Sequence, residues 1–283
     1  MAQFTNFATL TYTGGSTSSN TVTGELVDLA QLSKTTLADS YTPGDRVVYL
    51  LSLRNTGTVP LSGLTLSDDL GGYPFGGGTV YPLAYVPGSL RYYVGGVLQA
   101  APTVTAGPPL QITGLTIPAG GNSLVVYETT VTPYAPLGVE SGITNTATLT
   151  GPGITTGQTA QATVGARSGA RLGITKALSP ATVTENSRVT YTFVIENTGN
   201  TPAGAGESIV VTDTFSPTLT DLEVALNGTP WTAGNQYTYT PATGVFASTA
   251  GAITVPAATI AQNTDGTWST TPGRAVLTIS GVI

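Results

Sequence analysis

Residues 4–11 read FTNFATLT and residues 143–150 read ITNTATLT, six identities in eight positions at a constant offset of 139. The later copy continues as ITNTATLTGPGITTGQTAQATV over 143–164, an alternating strand, a Gly/Pro turn and a second strand, which predicts a β-hairpin. The earlier copy sits in a similar stretch, FTNFATLTYTGGSTSSNTVTGELV, within residues 1–27. A strand that opens the chain is therefore used again halfway along.

The rest of the chain is a repeat as well. LSKTTLADSYTPGDRVVYLLSLRNTGTVP at 32–60 matches ITKALSPATVTENSRVTYTFVIENTGNTP at 174–202, with Lys34 on Lys176, Arg46 on Arg188, Tyr49 on Tyr191 and Asn55 on Asn197. After three extra residues in the second copy, LSDDL at 66–70 falls on VTDTF at 211–215, and LVVYETTVT at 124–132 is placed on AVLTISGVI at 275–283. The second copy stops there, with no counterpart of the 143–164 hairpin after it. Residues 30–169 make a unit of 140; residues 170–283 make 114, and the leading 29 bring that to 143. The expected organisation is a donor hairpin (1–29), a complete β-sandwich (30–169) and an incomplete acceptor sandwich (170–283).

A sandwich without its last two strands exposes unpaired backbone groups along one edge, a template for another strand. Residues 1–27 are the expected supplement. Val27 to Lys34 spans at most about 25 Å, and a domain of this size is about 30–40 Å across. Self-closure would thus require the two domains side by side. Donation to a neighbouring copy avoids that requirement, and a head-to-tail contact of this kind grows into a filament.

Composition narrows the function classes. Only 8% of residues are charged, Gly numbers 36 and Pro 19, and turn residues punctuate short runs rich in Thr and Val, which predicts an all-β chain. A net charge of −6 argues against nucleic acid and anionic membrane surfaces as partners. With neither His nor Cys, metal sites built on those ligands, thiol catalysis and Ser-His triads are excluded, and no disulfide can staple the fold. No metal or cofactor is expected. There is no apolar run near about 18 residues, hence no expected membrane insertion. The opening MAQFTNFATL lacks a basic region followed by an apolar core, so no signal peptide is visible. Either a leader has been removed or the protein is made without one; Met1 as the sole methionine favours an authentic start.

The chain has two lysines, Lys34 and Lys176, at the same repeat position. A lysine amine can displace ammonia from an Asn amide when it is neutral, when a carboxyl group polarises the carbonyl and shuttles a proton, and when all three are held together. The repeat supplies Lys34, Asp68 and Asn145 once, then Lys176 and Asp213, whose matching amide is Asn6. Asp68 and Asp213 would assist, and the second bond would join different molecules. Hydrogen-bonded trios without a covalent bond would read the same in sequence, and Asp69 beside Asp68 leaves open which carboxylate points inward. Asn55 and Asn197, each in an Asn-Thr-Gly run, read as turn residues.

ITKALSPATVTENSRVTYTFVIENTGNTPAGAGESIVVTDTF resembles the bacterial surface repeat family catalogued as domain of unknown function eleven. That pattern has a Thr-Lys opening, a Tyr-rich strand ending in Asn-Thr-Gly, then Val-Thr-Asp-Thr and Thr-Asn-Thr-Ala-Thr. The resemblance covers nearly the whole chain. It implies tandem Ig-like or transthyretin-like β-sandwiches in bacterial surface proteins, and related pilus sandwiches carry Lys–Asn isopeptide bonds. A two-repeat chain without export or anchoring motifs looks like the spore-appendage proteins of clostridia. The expectation is a fibre subunit, extracellular or on the spore surface, whose partners are copies of itself and a surface anchoring protein. Two rivals remain open at this point. An enzyme would have to use a carboxylate pair, with Trp231 and Trp268 the only tryptophans. An adhesive or glycan-binding monomer would use Tyr81, Tyr85, Tyr92 and Tyr93.

Overall fold

The computed structural model describes residues 2–283. Nearly every element is a strand; the one helical element among these residues is a 3-10 turn, Ala205–Glu207. The chain is all-β, as two β-sandwich units preceded by a hairpin. One compact unit runs to Pro136 and takes in Ser141–Ala166 and Thr264–Thr267; the other comprises Leu137–Glu140, Arg167–Asn263 and Trp268–Ile283.

The leading hairpin is built from β1 (Ala2–Asn6), β2 (Thr9–Tyr12), β3 (Gly15–Ser18) and β4 (Val22–Leu26). β1 pairs only with β4 and β2 only with β3, so each pair is a two-stranded sheet by itself. Phe4 faces Gly24 and Asn6 faces Val22; further along, Thr9 faces Ser18 and Leu10 faces Thr17. The returning strand has thus gained one residue between the two pairs, a bulge that twists the ribbon. The Phe4 ring lies on Gly24: a Cβ there would come within 2.3 Å of Phe4 Cζ, so a larger residue would push the ring aside. Phe4, Phe7, Leu10, Tyr12 and Val22 are all more than half exposed. A two-stranded ribbon with its apolar side chains in water is marginal alone. At its root, Asp28 accepts hydrogen bonds from Thr155 N (2.6 Å), Thr155 Oγ1 (2.8 Å) and Thr156 N (3.1 Å), which hold its carboxyl below the ordinary range.

The first unit contains β5 (Ala30–Thr36), β6 (Ser40–Tyr41), β7 (Arg46–Asn55), β8 (Leu61–Asp68), β9 (Tyr73–Phe75), β10 (Gly78–Val80), β11 (Leu83–Tyr85), β12 (Arg91–Val94) and β13 (Val97–Leu98). It continues through β14 (Thr103–Thr105), β15 (Leu110–Ile117), β16 (Asn122–Val131), β17 (Gly142–Thr150) and β18 (Gln158–Ala166). One sheet has the order β13-β12-β16-β7-β5, with β11 also on β16; the other is β14-β15-β8-β17-β18-β6. Alternation does the folding. On β7, Val47, Tyr49, Leu51 and Leu53 are buried, and on β17, Ile143, Asn145, Ala147 and Leu149 are buried.

The second unit contains β19 (Leu172–Ser179), β20 (Arg188–Asn197), β21 (Thr212–Thr214), β22 (Thr220–Leu226), β23 (Thr229–Pro230), β24 (Tyr237–Thr240) and β25 (Val245–Ser248). A hairpin of β26 (Thr259–Gln262) and β27 (Trp268–Thr271) follows, and β28 (Gly273–Val282) is last. Its sheets are β19-β20-β28-β22-β23 and β21-β25-β24. Laid against the first unit, β19-β20-β28-β22-β23 repeats β5-β7-β16-β12-β13, and β24-β25-β21 repeats β14-β15-β8. The strands that flank β8 on its far side, β17 and β18, have no counterpart in the second unit among the described residues, so β21 is a sheet edge there.

The register corrects one alignment. Tyr49 faces Tyr127 in the first unit, and Tyr191 faces Ile279 in the second. Residues 124–131 therefore fall on 276–283, one position later than the sequence match placed them, and Ile279 rather than Thr278 stands in the place of Tyr127. A one-residue slip moves every side chain to the opposite face. The match went astray because both phases of LVVYETTVT carry apolar residues.

Candidate cross-linking sites and an open sheet edge

In the first unit the predicted trio is gathered in the core. Lys34 points inward from β5, its Nζ donating to Asp68 Oδ2 at 2.5 Å, and both side chains are fully shielded from solvent. The Tyr127 hydroxyl donates to the same oxygen at 2.5 Å, and the Leu70 N–H donates to Oδ1 at 3.1 Å. Lys34 Nζ lies over the Tyr49 ring, 4.8 Å from its centroid, and Tyr49 stacks on Tyr127. Burial lowers the Lys34 pKa, against the opposing charge of Asp68. Burial also pushes the Tyr127 and Tyr49 hydroxyls up.

Asn145 is the third member. It is fully buried on β17, two residues from Ala147, which faces Asp68 across the sheet. Its amide opposes the pKa rise that burial gives both tyrosine hydroxyls. Yet neither its Nδ2 nor its Oδ1 closes a hydrogen bond, and the Tyr49 hydroxyl also has none. Each buried polar atom left so costs about 1–3 kcal/mol, and an amide unsatisfied at both ends is rare in a folded core.

Asp69 acts on Lys34 and Tyr49 only through its charge, and its hydrogen bonds go elsewhere. Its Oδ1 accepts from Gly71 N at 2.8 Å and Thr146 N at 2.9 Å, which pins the β8 end to β17. Asp68 is the inward carboxylate. Asn55 and Asn197 are turn formers as expected: each Oδ1 accepts the N–H two residues on, at 2.9 Å, and each Nδ2 donates to the carbonyl four residues on, at 2.8 Å.

The second unit holds two members of the equivalent trio in a different setting. Lys176 donates to Asp213, but the side chains are 41% and 17% exposed. The amine lies 4.7 Å from the Tyr191 centroid, 5.3 Å from Phe193 and 5.4 Å from Phe215, an aromatic seat that favours a cation. Asp213 has no tyrosine partner, since Ile279 occupies that position. Asn6, the matching amide, is exposed on β1 opposite Val22.

What covers Lys34 explains the difference. β17 and β18 pack against β5 in the first unit. The same face of β19 is bare: Leu172, Ile174 and Leu178 are exposed, as is Val210 ahead of β21. An open groove of about 170 Å³ runs between Leu172, Ile174, Ile195, Ile209, Val210 and Val211.

Sequence reading missed Tyr49 and Tyr127 as members of the first cluster. Tyr49 was visible as a repeat match to Tyr191, and Tyr127 was hidden by the slipped alignment. Of the four tyrosines considered for adhesion, Tyr92 is buried with its hydroxyl on Thr116 O at 2.7 Å, and Tyr81, Tyr85 and Tyr93 are only partly accessible. Among the described residues no group of three or more Asp or Glu is placed to hold a metal ion, and no helix is long and apolar enough to cross a membrane.

No protein-family profile matches the chain, and no curated protein matches it. Among solved structures, the pilus backbone of Streptococcus pneumoniae aligns at 12% identity and TM-score 0.32, over 90% of this chain and 50% of that one. The major pilin subunit of Bacillus cereus aligns at 13% and 0.35, over 96% and 73%; the full-length major pilin of Corynebacterium diphtheriae aligns at 12% and 0.35, over 85% and 58%. The chain spans half the length of the pneumococcal protein. Likeness at this level establishes neither a shared family nor a shared function.

Proposed function

We propose that this chain is a structural subunit that assembles head-to-tail into a filament, each copy completing the second unit of the next with its leading hairpin. The observation that carries this reading is the edge of β21. Its counterpart β8 is flanked by a hairpin whose buried side chains are Ile143, Asn145, Ala147 and Leu149. The leading hairpin presents Phe4, Asn6, Ala8 and Leu10 at the same alternation, exposed. Its pairing matches over β1 and β4, where Phe4 with Gly24 and Asn6 with Val22 repeat Ile143 with Val164 and Asn145 with Ala162; beyond the bulge, β2 and β3 are offset from that register by one residue. Acceptor and donor thus carry complementary unburied surfaces, and covering a side chain such as Phe4 or Leu10 stabilises by about 1.5–3 kcal/mol each.

Covalent reinforcement follows from the same correspondence. In the first unit, Lys34 passes a proton to Asp68, and the neutral amine attacks Cγ of Asn145. Asp68, now protonated, polarises Oδ1 and then delivers its proton to the departing nitrogen. The C–Nδ2 bond breaks and ammonia leaves; the regenerated Asp68 carboxylate takes up the surplus proton of the attacking nitrogen, and one amide replaces another with no redox change. The unpaired Asn145 amide supports this role, because a group consumed by the reaction has no need of permanent partners. Docking would bring Asn6 of one copy to Lys176 and Asp213 of the next, giving the intermolecular bond. Beyond this autocatalysis, no reaction on an external substrate is proposed.

Membership of the surface repeat family named above, and a place outside the cell or on the spore surface, are part of the same reading. A self-closed adhesive monomer is the alternative. Negative-stain electron microscopy of the purified chain separates the two: fibres are expected, and monodisperse particles at all concentrations would contradict the proposal.

A further inference from the structure

Side-chain volume dictates which register the donor takes and which unit it can enter. In the first unit Leu149 faces Leu66 and Thr150 faces Thr65, and Gly151 follows against Leu64. Carried through the repeat, Leu10 lies beside Val211 and Tyr12 beside Ile209. Those two acceptor residues line the open groove, with Ile174 and Ile195 on its other side. Leu10 and Tyr12 are 64% and 60% exposed in the free hairpin. A groove and two unburied side chains fall at one place.

The first unit is closed to the same side chains. Gly151 has φ +142°, and a Cβ there would sit 2.9 Å from Leu64 Cδ2 and 3.0 Å from Leu64 Cα, so a tyrosine is both strained and blocked. At the other end, Ile143 Cγ2 lies 2.5 Å from where a Cβ on Gly71 would be. Phe4 in place of Ile143 would overpack that turn.

We infer that the groove of the second unit is a subsite for Leu10 and Tyr12 of a second copy of this chain, and that Phe4 and Tyr12 bar the same hairpin from the first unit. This rests on the donor-hairpin reading and adds its register and selectivity. The consequence is directional growth: a free hairpin cannot displace the built-in hairpin of a neighbour's first unit, so copies add only at second units.

The test uses the full chain with a photoreactive leucine analogue at position 10, allowed to assemble, irradiated and mapped by mass spectrometry. Cross-links are expected to Ile174 or to residues 209–211. Fibres whose cross-links fall on Leu64–Leu66, or elsewhere in the second unit, overturn the subsite while leaving hairpin donation intact. Failure to assemble overturns both. In a second arm, Leu10→Ser is expected to raise the critical concentration for assembly at least about tenfold, and Leu10→Ile less than about threefold. Equal assembly by Leu10→Ser and wild type refutes the subsite. The pair Phe4→Ile and Tyr12→Gly, with the same probe, is expected to spread cross-links onto Leu64–Leu66; unchanged mapping refutes the exclusion.

Discussion

Lys34 and Lys176 occupy the same position of the two repeat units and pair with equivalent aspartates, yet the first is sealed from solvent and the second is 41% exposed. One hairpin makes that difference. Where β17 and β18 cover β5, the ion pair is dry; where nothing covers β19, the pair stays wet and the aromatic seat holds a cation.

Removing the hairpin tests its role as donor. Deletion of residues 1–27 is expected to leave a species that sediments as a monomer and forms no fibres, while adding a peptide of residues 2–27 to the intact chain shortens fibres. Fibres from the deleted chain would refute donation. The second unit keeps its own buried cluster, from Val189 and Phe193 to Leu277 and Ile279, so loss of folding is not expected.

The intramolecular bond has a mass. The intact chain is expected to weigh about 17 Da less than its sequence, from loss of one ammonia. Asn145→Ala should abolish the shortfall, and so should Asp68→Ala. The latter also strands a buried lysine, which costs about 3–5 kcal/mol when one partner of a buried pair is removed. A full sequence mass in the wild type would exclude the bond.

The pH dependence of that site has a defined sign. In Asn145→Ala, where no bond can form, Lys34 stays titratable with a folded pKa below 10.5, lowered by burial. Between that folded value and 10.5 the unfolded chain holds more protons, so stability rises with pH. Above about 10 the raised Tyr49 and Tyr127 reverse the trend, because their protons are kept only in the folded state. Denaturant midpoints should therefore climb through the alkaline range and turn over; a steady fall from pH 7 would contradict a buried Lys34.

Asp28 gives the opposite case. Its folded carboxyl lies below 3.8, held there by Thr155 and Thr156, so its anchoring is complete above 3.8 and is lost as pH falls through the folded value. Asp28→Asn should speed amide exchange at Thr155 and Thr156 at neutral pH, and acid should do the same to wild type. Unchanged exchange in the variant would show that the hairpin root is held elsewhere.

Boiling fibres in detergent checks the bond between copies. A ladder of covalent multimers is expected for wild type and loss of the ladder for Lys176→Ala, while Lys34→Ala should keep the ladder if its fold survives. A ladder in Lys176→Ala would place the bond elsewhere.

Much of this was legible in the residues. The repeat of ITNTATLT in FTNFATLT marked the inward set, and two lysines at one repeat position marked the ion pairs, because alternation and charge scarcity are properties of the chain itself. The slip at 124–132 was not legible, since Leu124, Val125 and Val126 offer apolar residues in both phases and only backbone pairing decides between them. Tyr127 was lost with it. The contrast between Lys34 and Lys176 was out of reach for another reason: their local sequences are alike, and exposure is set by strands more than a hundred residues from Lys34 in the first unit.

The most direct measurement exploits the absence of cysteine from the chain. Thr148 faces Ser67 across β17 and β8, so a docked hairpin should set Thr9 opposite Thr212. Thr9→Cys and Thr212→Cys chains, mixed, assembled and oxidised, are predicted to yield a reducible dimer containing one of each. If the mixture stays monomeric, or if only a chain carrying both substitutions forms a disulfide and does so within itself, the second unit is not completed by a neighbour.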